Sequence, residues 1–209
     1  RIVYGSTSGV YGDCAGARLD ETRTVAPATP RAVRRVAAEQ RLRWYGRAFG
    51  ACVTVLRIPG IYADTRHPRQ RLARGLPVLE AHHDVYTNHI HADDLARACA
   101  AALFRGRPQR IVHACDDSEL RMGEYFDLAA DLEGRPRPPR VTPEQARATL
   151  SPMQLSFMGE SRRLSNRRLR TELKLRLHYP TPVEGLQACR RVVPTVHPAP
   201  ARPEGSFAT

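Results

Sequence analysis

Three consecutive hydroxyl side chains near the start of the chain are the first candidates for chemistry. Ser6, Thr7 and Ser8 follow a β-branched and aromatic run, Ile2 to Tyr4, which predicts a strand. A strand that ends in hydroxyl residues presents hydrogen-bonding groups at the edge of a sheet, where they can bind a substrate oxygen. The glycines of this segment do not make a dinucleotide phosphate loop, because residues 13–30 show no helical period to supply the helix that such a loop requires.

A histidine-rich extended segment, D-V-Y-T-N-H-I-H (84–91), offers a second kind of chemistry. His89, His91 and Asp93 spell H-x-H-x-D, and alternate residues of a strand point to one face, where two imidazoles could reach one metal ion. The segment resembles the H-x-H-x-D-H signature of metallo-β-lactamase-like hydrolases, but Asp94 occupies the last position, where that signature has a histidine. Asp93 also precedes a helical pattern that it is suited to cap. We therefore expect a helix cap and no metal, and a metal-dependent hydrolase remains the least favoured alternative.

Composition limits the partners and the location of the protein. The net charge is +12, but Lys174 is the only lysine, and the arginines are scattered without the interleaved aromatic residues of a base-stacking module. Nucleic acid is therefore not an expected partner. No apolar run reaches the ~18 residues of a membrane helix, so no membrane association is expected. Five cysteines without a C-x-x-C pair do not form a disulfide framework, which favours a cytoplasmic location.

Periodicity predicts an α/β fold with a parallel sheet, because strands alternate with helices through the first two-thirds of the chain. Helices with little strand between them follow, and they indicate a second, mostly helical lobe. The expected strands cover about 1–5, 52–57 and 110–114, and the expected helices cover 31–46, the segment from Asp93 to 105, and 122–133. Gly46 is expected to end the first helix. The Pro-rich segment over 191–209 predicts a disordered tail.

Several motifs in a fixed order carry a family resemblance. The chain contains S-T-S-G-V-Y-G, then D-E-T, a helix with Ala38-Glu39, L-R-I-P-G-I-Y, and H-I-H-A-D-D-L-A-R-A. Over residues 1–187 this order resembles the extended short-chain dehydrogenases/reductases, the NAD-dependent epimerases and dehydratases. The resemblance implies the C-terminal part of a Rossmann-type doubly wound parallel sheet plus a smaller helical substrate lobe. The family's glycine-rich cofactor loop precedes the Ser/Thr motif by roughly a hundred residues, so we expect this chain to lack the N-terminal cofactor-binding half.

The same resemblance implies a division into parts and a cofactor. Residues 1–60 correspond to the second half of the NAD(P)-binding domain, 92–116 return to it, and 61–190 form mainly the substrate lobe. NAD or NADP is expected in the full-length protein, with none retained by this chain. The implied partners are a small-molecule substrate and, in the full-length form, a second copy of the chain in a homodimer.

The resemblance also assigns roles to individual residues. Thr7 matches the hydroxyl that binds the substrate oxygen, whereas Arg31 and Arg35 stand where the family has its acid/base Tyr and the Lys that lowers the pKa of that Tyr. A guanidinium cannot accept a proton, so the arginines form either an anion site or a solvated helix face. Tyr11 and Tyr45 lack a cation at the required spacing. The further site residues are, on the cofactor side, Ser6, Ile58, Pro59, Gly60 and Ile61, and, on the substrate side, Ser8, Thr87 and His91.

Together these features predict an NAD(P)-dependent epimerase/dehydratase-like protein. It would be an oxidoreductase or isomerase acting on a small hydroxyl or carbonyl substrate, including sugar derivatives. The alternative is a non-catalytic member of the family that binds NAD(P) or an anion.

Overall fold

The computed structural model describes residues 1–190 of the chain, in which strands and helices alternate. The strands are β1 (Ile2–Thr7), β2 (Arg18–Leu19), β3 (Val53–Ile58), β4 (Gly60–Tyr62), β5 (Val78–Leu79), β6 (His89–His91), β7 (Arg110–His113), β8 (Arg140–Val141) and β9 (Arg163–Leu164). The helices are α1 (Pro30–Phe49), α2 (Arg69–Ala73), α3 (Ala92–Arg105), α4 (Met122–Glu133), α5 (Pro143–Thr149), α6 (Pro152–Met158), α7 (Arg167–Thr171) and α8 (Pro182–Arg190). This alternation confirms the predicted α/β class. The predicted disordered tail over 191–209 lies outside the described residues.

Three parallel strands in the order β1-β3-β7 form the main sheet. The register places Thr7 beside Ile58 and Arg57 beside His113, so the carboxyl ends of the strands share one edge. Strand β3 is buried because it has a neighbour on each side, as expected for a central parallel strand. The three predicted strands are confirmed, with bounds that differ by one or two residues.

Helix α1 is longer than its sequence pattern predicted. Thr29 caps its start, and the helix runs through to Phe49 before Gly50 ends it in the left-handed conformation, with φ 66°. The expectation that Gly46 ends the helix is wrong. Gly46 lies inside the helix, where a Cβ would come within 2.2 Å of Gln109 Oε1. A glycine is therefore needed there for the close packing of the helix against Gln109.

The cap of helix α3 also differs from the expectation. The predicted cap, Asp93, lies in the first turn, and His91 is the cap because its Nδ1 accepts a hydrogen bond from the Asp93 amide at 3.2 Å. Asp94 is fully buried and accepts hydrogen bonds from the amides of His178 (2.9 Å) and Tyr179 (2.8 Å). Asp94 therefore joins α3 to a distant segment of the chain.

The remaining helices pack beside the carboxyl edge of the sheet. The main core lies between the sheet, α3 and α7, and includes Leu56, Ile90 and Leu169. Two smaller apolar clusters, around Tyr125 and around Leu150, hold α4, α5, α6 and α8 together. No helix within residues 1–190 combines the length and the hydropathy that a bilayer crossing requires.

Candidate functional site

A cavity of about 400 Å³ lies where β1 and β3 end and the C-terminal helices begin. This is the edge at which open parallel sheets bind their ligands. The cavity brings together seven of the residues predicted from the sequence: Thr7, Ser8, Arg31, Pro59, Gly60, Ile61 and Thr87. Residues far apart in the chain therefore converge at one place.

Thr7 presents its hydroxyl at the end of β1. The Gly9 amide donates to Thr7 Oγ1 at 3.2 Å, because Thr7 caps the short 3-10 turn Ser8–Tyr11 that follows the strand. That hydrogen bond uses Oγ1 as an acceptor, so the hydroxyl proton is free to be donated to a ligand oxygen. The turn thus leaves the Thr7 hydroxyl able to donate to a ligand in the cavity.

Arg31 and Arg35 point to different places although they lie one helical turn apart. The Arg31 guanidinium lies 5.1 Å from the centre of the Phe157 ring and lines the cavity. Arg35 donates to Tyr4 Oη and to the Gly5 carbonyl, each at 3.1 Å. The structure therefore places only Arg31 at the cavity.

Three other predicted site residues also lie away from the cavity lining. Ser6 is buried and donates to Glu39 Oε1 at 2.5 Å. Ile58 packs against the main core. His91 caps α3, and its Nε2 lies 3.6 Å from Cys189 Sγ. Each of these side chains contacts a partner in the interior. None of the three lines the cavity in which a cofactor or substrate was expected to meet them.

Tyr11, from the V-Y-G motif, belongs to a buried polar network. Arg57 donates to Tyr11 Oη at 2.7 Å and forms an ion pair with Glu39 at 2.7 Å. Tyr11 Oη also lies 2.5 Å from His113 Nε2. Burial raises the pKa of Tyr11 to about 12, although Arg57 acts in the opposite direction. Arg57 is therefore a cation close to Tyr11 in space, although it does not stand at the sequence spacing of the family's Tyr and Lys, and burial makes Tyr11 part of the interior.

The cavity also contains residues that no sequence pattern placed there. His89 is buried and stacks on Tyr125, with ring centres 3.9 Å apart. Burial lowers the pKa of His89 to about 3, so the imidazole is neutral at ordinary pH. Arg71 enters from α2 and lies over the Phe126 ring at 4.6 Å. Alternation along the strand was a signal for His89, which shares a face with Thr87, but no spacing indicated Arg71.

The H-x-H-x-D residues do not form a metal-binding cluster in the part of the chain that the structure describes. His89 stacks on Tyr125, whereas His91 caps α3. Within residues 1–190, potential ligand atoms gather at Glu80, with His82 and His83 beside it. That turn is not part of the cavity lining.

Comparisons with known proteins place the chain among epimerases and dehydratases. A family model described as the NAD dependent epimerase/dehydratase family matches residues 1–115. Protein YeeZ of Escherichia coli K12 is 25% identical over 183 residues, which are 88% of this chain and 60% of YeeZ. The chain thus spans less than two-thirds of that curated relative.

Solved structures share the fold. A functionally unknown conserved protein from Silicibacter pomeroyi DSS superposes with a TM-score of 0.81 and 34% identity, over 91% of this chain and 66% of that protein. UDP-glucose 4-epimerase from Thermotoga maritima superposes with a TM-score of 0.74 and 19% identity, over 90% of this chain and 62% of the epimerase. The second likeness is evidence for the fold alone.

Proposed function

Because the chain belongs to the NAD-dependent epimerase/dehydratase family, we propose that its cavity is the substrate site of an NAD(P)-dependent oxidoreductase or isomerase. The substrate would be a small hydroxyl or carbonyl compound, such as a sugar derivative. The observation that carries this proposal is the meeting of the Thr7 hydroxyl, Arg31 and Thr87 in one cavity at the carboxyl ends of parallel strands. The relatives are longer than this chain, so the proposal concerns the full-length gene product.

The residues of the cavity suggest how each would act on such a substrate. Thr7 would donate a hydrogen bond to the reacting oxygen, which orients it and polarises its bond to carbon. Arg31 cannot serve as a base, because its guanidinium keeps its proton. It would instead stabilise negative charge that develops on the substrate oxygen, in the manner of an oxyanion site.

The described residues fit a nicotinamide cofactor only in part. The pyrophosphate of such a cofactor binds at the start of a helix that follows a strand through a glycine-rich turn. Within residues 1–190, β1 leads into the 3-10 turn Ser8–Tyr11, and β3 leads into β4. The Pro59–Ile61 segment could form the wall beside a nicotinamide. We propose that this chain alone binds NAD(P) more weakly than micromolar, which calorimetry would measure.

A second candidate function is non-catalytic binding of NAD(P) or an anion. The observation that favours it is Arg31, which stands where the family resemblance implies a proton-transferring tyrosine and cannot take over that role. In this case the cavity would bind a ligand without converting it.

The test compares turnover by the full-length gene product and its Thr7→Val variant. NAD(P) is supplied with a panel of nucleotide sugars and small hydroxy compounds, and the change in the cofactor's redox state or the isomerised product is measured. The matched control is Thr65→Val, since Thr65 is exposed and is not a lining residue. We expect Thr7→Val to lower kcat/KM by about a hundredfold, the scale of one lost transition-state hydrogen bond, and Thr65→Val to leave it unchanged. Equal turnover by the two variants would refute the role of Thr7, whereas ligand binding without any turnover would support the second candidate.

We also propose a cytoplasmic location and a homodimer for the full-length protein. The described cysteines are free thiols, which suit a reducing compartment. Trp44, Tyr45 and Phe49 expose apolar surface near the end of α1, and a second copy of the chain could cover it. Light scattering of the wild type and of Phe49→Glu would test this, because a charged side chain in the interface should shift the mass toward the monomer.

A further inference from the structure

We propose that the cavity binds a small anion, a carboxylate or a phosphate group, and that Arg71 is the anchor of this anion. This inference deepens the proposed function and rests on the cavity being the substrate site. It names a class of ligand and a binding residue on α2, an element outside the sequence motifs.

Arg71 is a partly buried arginine whose hydrogen bonds are incomplete. One terminal nitrogen donates to the Pro77 carbonyl at 2.6 Å, and the Nε group is buried without a partner. No carboxylate within residues 1–190 lies at ion-pair distance from it, whereas Arg57 faces Glu39 at 2.7 Å. A partly buried cation without a counter-ion is less favourable than a paired one, so an anion from outside the protein would complete its surroundings.

The environment of Arg71 leaves the guanidinium ready to bind an oxyanion. Its Cζ atom lies over the Phe126 ring, 4.6 Å from the ring centre, and this contact does not use the N–H donors. The planar N–H groups match the two oxygens of a carboxylate or phosphate. Burial lowers the pKa of Arg71, and the charge of Arg74 acts in the same direction.

The other charged residues of the cavity add to the positive potential. Arg31 lies over Phe157 in the same way as Arg71 lies over Phe126, and Arg66 is an exposed third arginine. Arg162 also lines the cavity, but it pairs with Glu160 at 2.8 Å, so these two charges offset each other. The remaining lining charges are arginines, which favours an anionic ligand over a neutral or cationic one.

His89 indicates a second feature of the ligand. Its buried Nδ1 has no partner, and a bare nitrogen is tolerated without a partner more readily than an N–H group. The proton of the neutral ring is therefore expected on Nε2, which lies on the ring edge near Gly60, another lining residue. The ligand would then carry an acceptor oxygen, a hydroxyl or carbonyl, in addition to its anionic group.

The experiment measures binding of defined probes to the purified full-length protein by calorimetry. The probes are inorganic pyrophosphate and malonate, which separate phosphate from carboxylate binding, and malonamide, which has the shape of malonate without its charge. The variant is Arg71→Gln. The matched control is Arg74→Gln, because Arg74 is an exposed arginine that follows the same short helix and does not line the cavity.

We expect Arg71→Gln to weaken binding of at least one anionic probe by about tenfold or more, the scale of a lost charge-assisted hydrogen bond. Arg74→Gln should change it less than about twofold, as expected for a screened surface charge, and malonamide should not bind. If Arg71→Gln does not fold, Arg71→Lys keeps the charge but loses the planar fork, and it should still weaken binding. Unchanged affinity in the Arg71 variant, equal weakening by both variants, or absence of anion binding to the wild type would overturn the proposal.

The outcome is separable from that of the proposed function. Turnover that depends on Thr7 without anion binding would refute this inference and keep the function. Anion binding that depends on Arg71, without turnover on any substrate, would keep this inference and refute catalysis.

Discussion

The buried ion pair between Glu39 and Arg57 supports a quantitative prediction about stability. Both side chains are only 4% exposed, and Arg57 donates to the two carboxylate oxygens at 2.7 and 3.2 Å. Replacing Glu39 by alanine leaves the Arg57 charge in the interior with Tyr11 Oη as its remaining side-chain partner. Loss of one member of a buried pair costs about 3–5 kcal/mol. Ser6 also loses its acceptor, which adds about 1 kcal/mol.

Urea denaturation followed by circular dichroism would measure this loss as a change in the free energy of unfolding. Glu39→Leu and Arg57→Met, alone and together, complete a double-mutant cycle. Because the double variant leaves no unpaired charge, it should be less destabilised than the sum of the single variants. The control is Glu144→Ala, which removes an exposed ion-pair partner of Arg147 and should cost less than about 1 kcal/mol.

Two results would refute this reasoning. The first is a Glu39→Ala variant whose free energy of unfolding lies within about 1 kcal/mol of the wild-type value, which would mean that the pair is solvated. The second is an additive cycle, which would mean that the two charges do not interact.

Three other predictions concern single sites. Burial raises the pKa of Asp116 from 3.8 to about 8, so the folded state holds a proton that the unfolded state releases. Between these two pKa values, the free energy of unfolding of the wild type should therefore fall relative to that of Asp116→Asn by about 1.4 kcal/mol per pH unit as the pH rises. Denaturation at several pH values measures this, and a difference between the two proteins that does not change with pH would contradict it. Gly12→Ala should destabilise more than Gly50→Ala in urea titrations: both have positive φ, but a Cβ at Gly12 would lie 2.4 Å from a backbone oxygen, whereas Gly50 has open space. Arg31→Tyr should weaken pyrophosphate binding severalfold in calorimetry while Arg35→Lys leaves it unchanged, because Arg31 alone of the two lines the cavity; equal effects would contradict this placement.

Local pattern predicted the elements of the sheet better than the ends of the helices. The strands β1, β3 and β7 were recognisable from their short β-branched runs, and the central strand β3 is buried along most of its length, as a parallel strand with two neighbours is expected to be. The end of α1 was not, because a glycine at 46 has the same local signature whether it ends a helix or fits against Gln109. The cap of α3 was missed for a similar reason, since His91 and Asp93 are both able to accept a hydrogen bond from a backbone amide.

The sequence alone determined the α/β class, the order of the elements and the position of Thr7 at a strand end, because these follow from short-range periodicity. Only the tertiary structure decided which side chains share the cavity. Arg71 and Phe126 come from α2 and α4, which are adjacent in space but separated by more than forty positions in the chain, so no local spacing links them. Arg31 and Arg35 are the opposite case. They lie one turn apart on the same helix, but Arg35 contacts β1 and Arg31 contacts α6, so the fold gives them different surroundings. The neutral state of His89 likewise depends on its burial, which is a property of the folded chain and not of any segment of it.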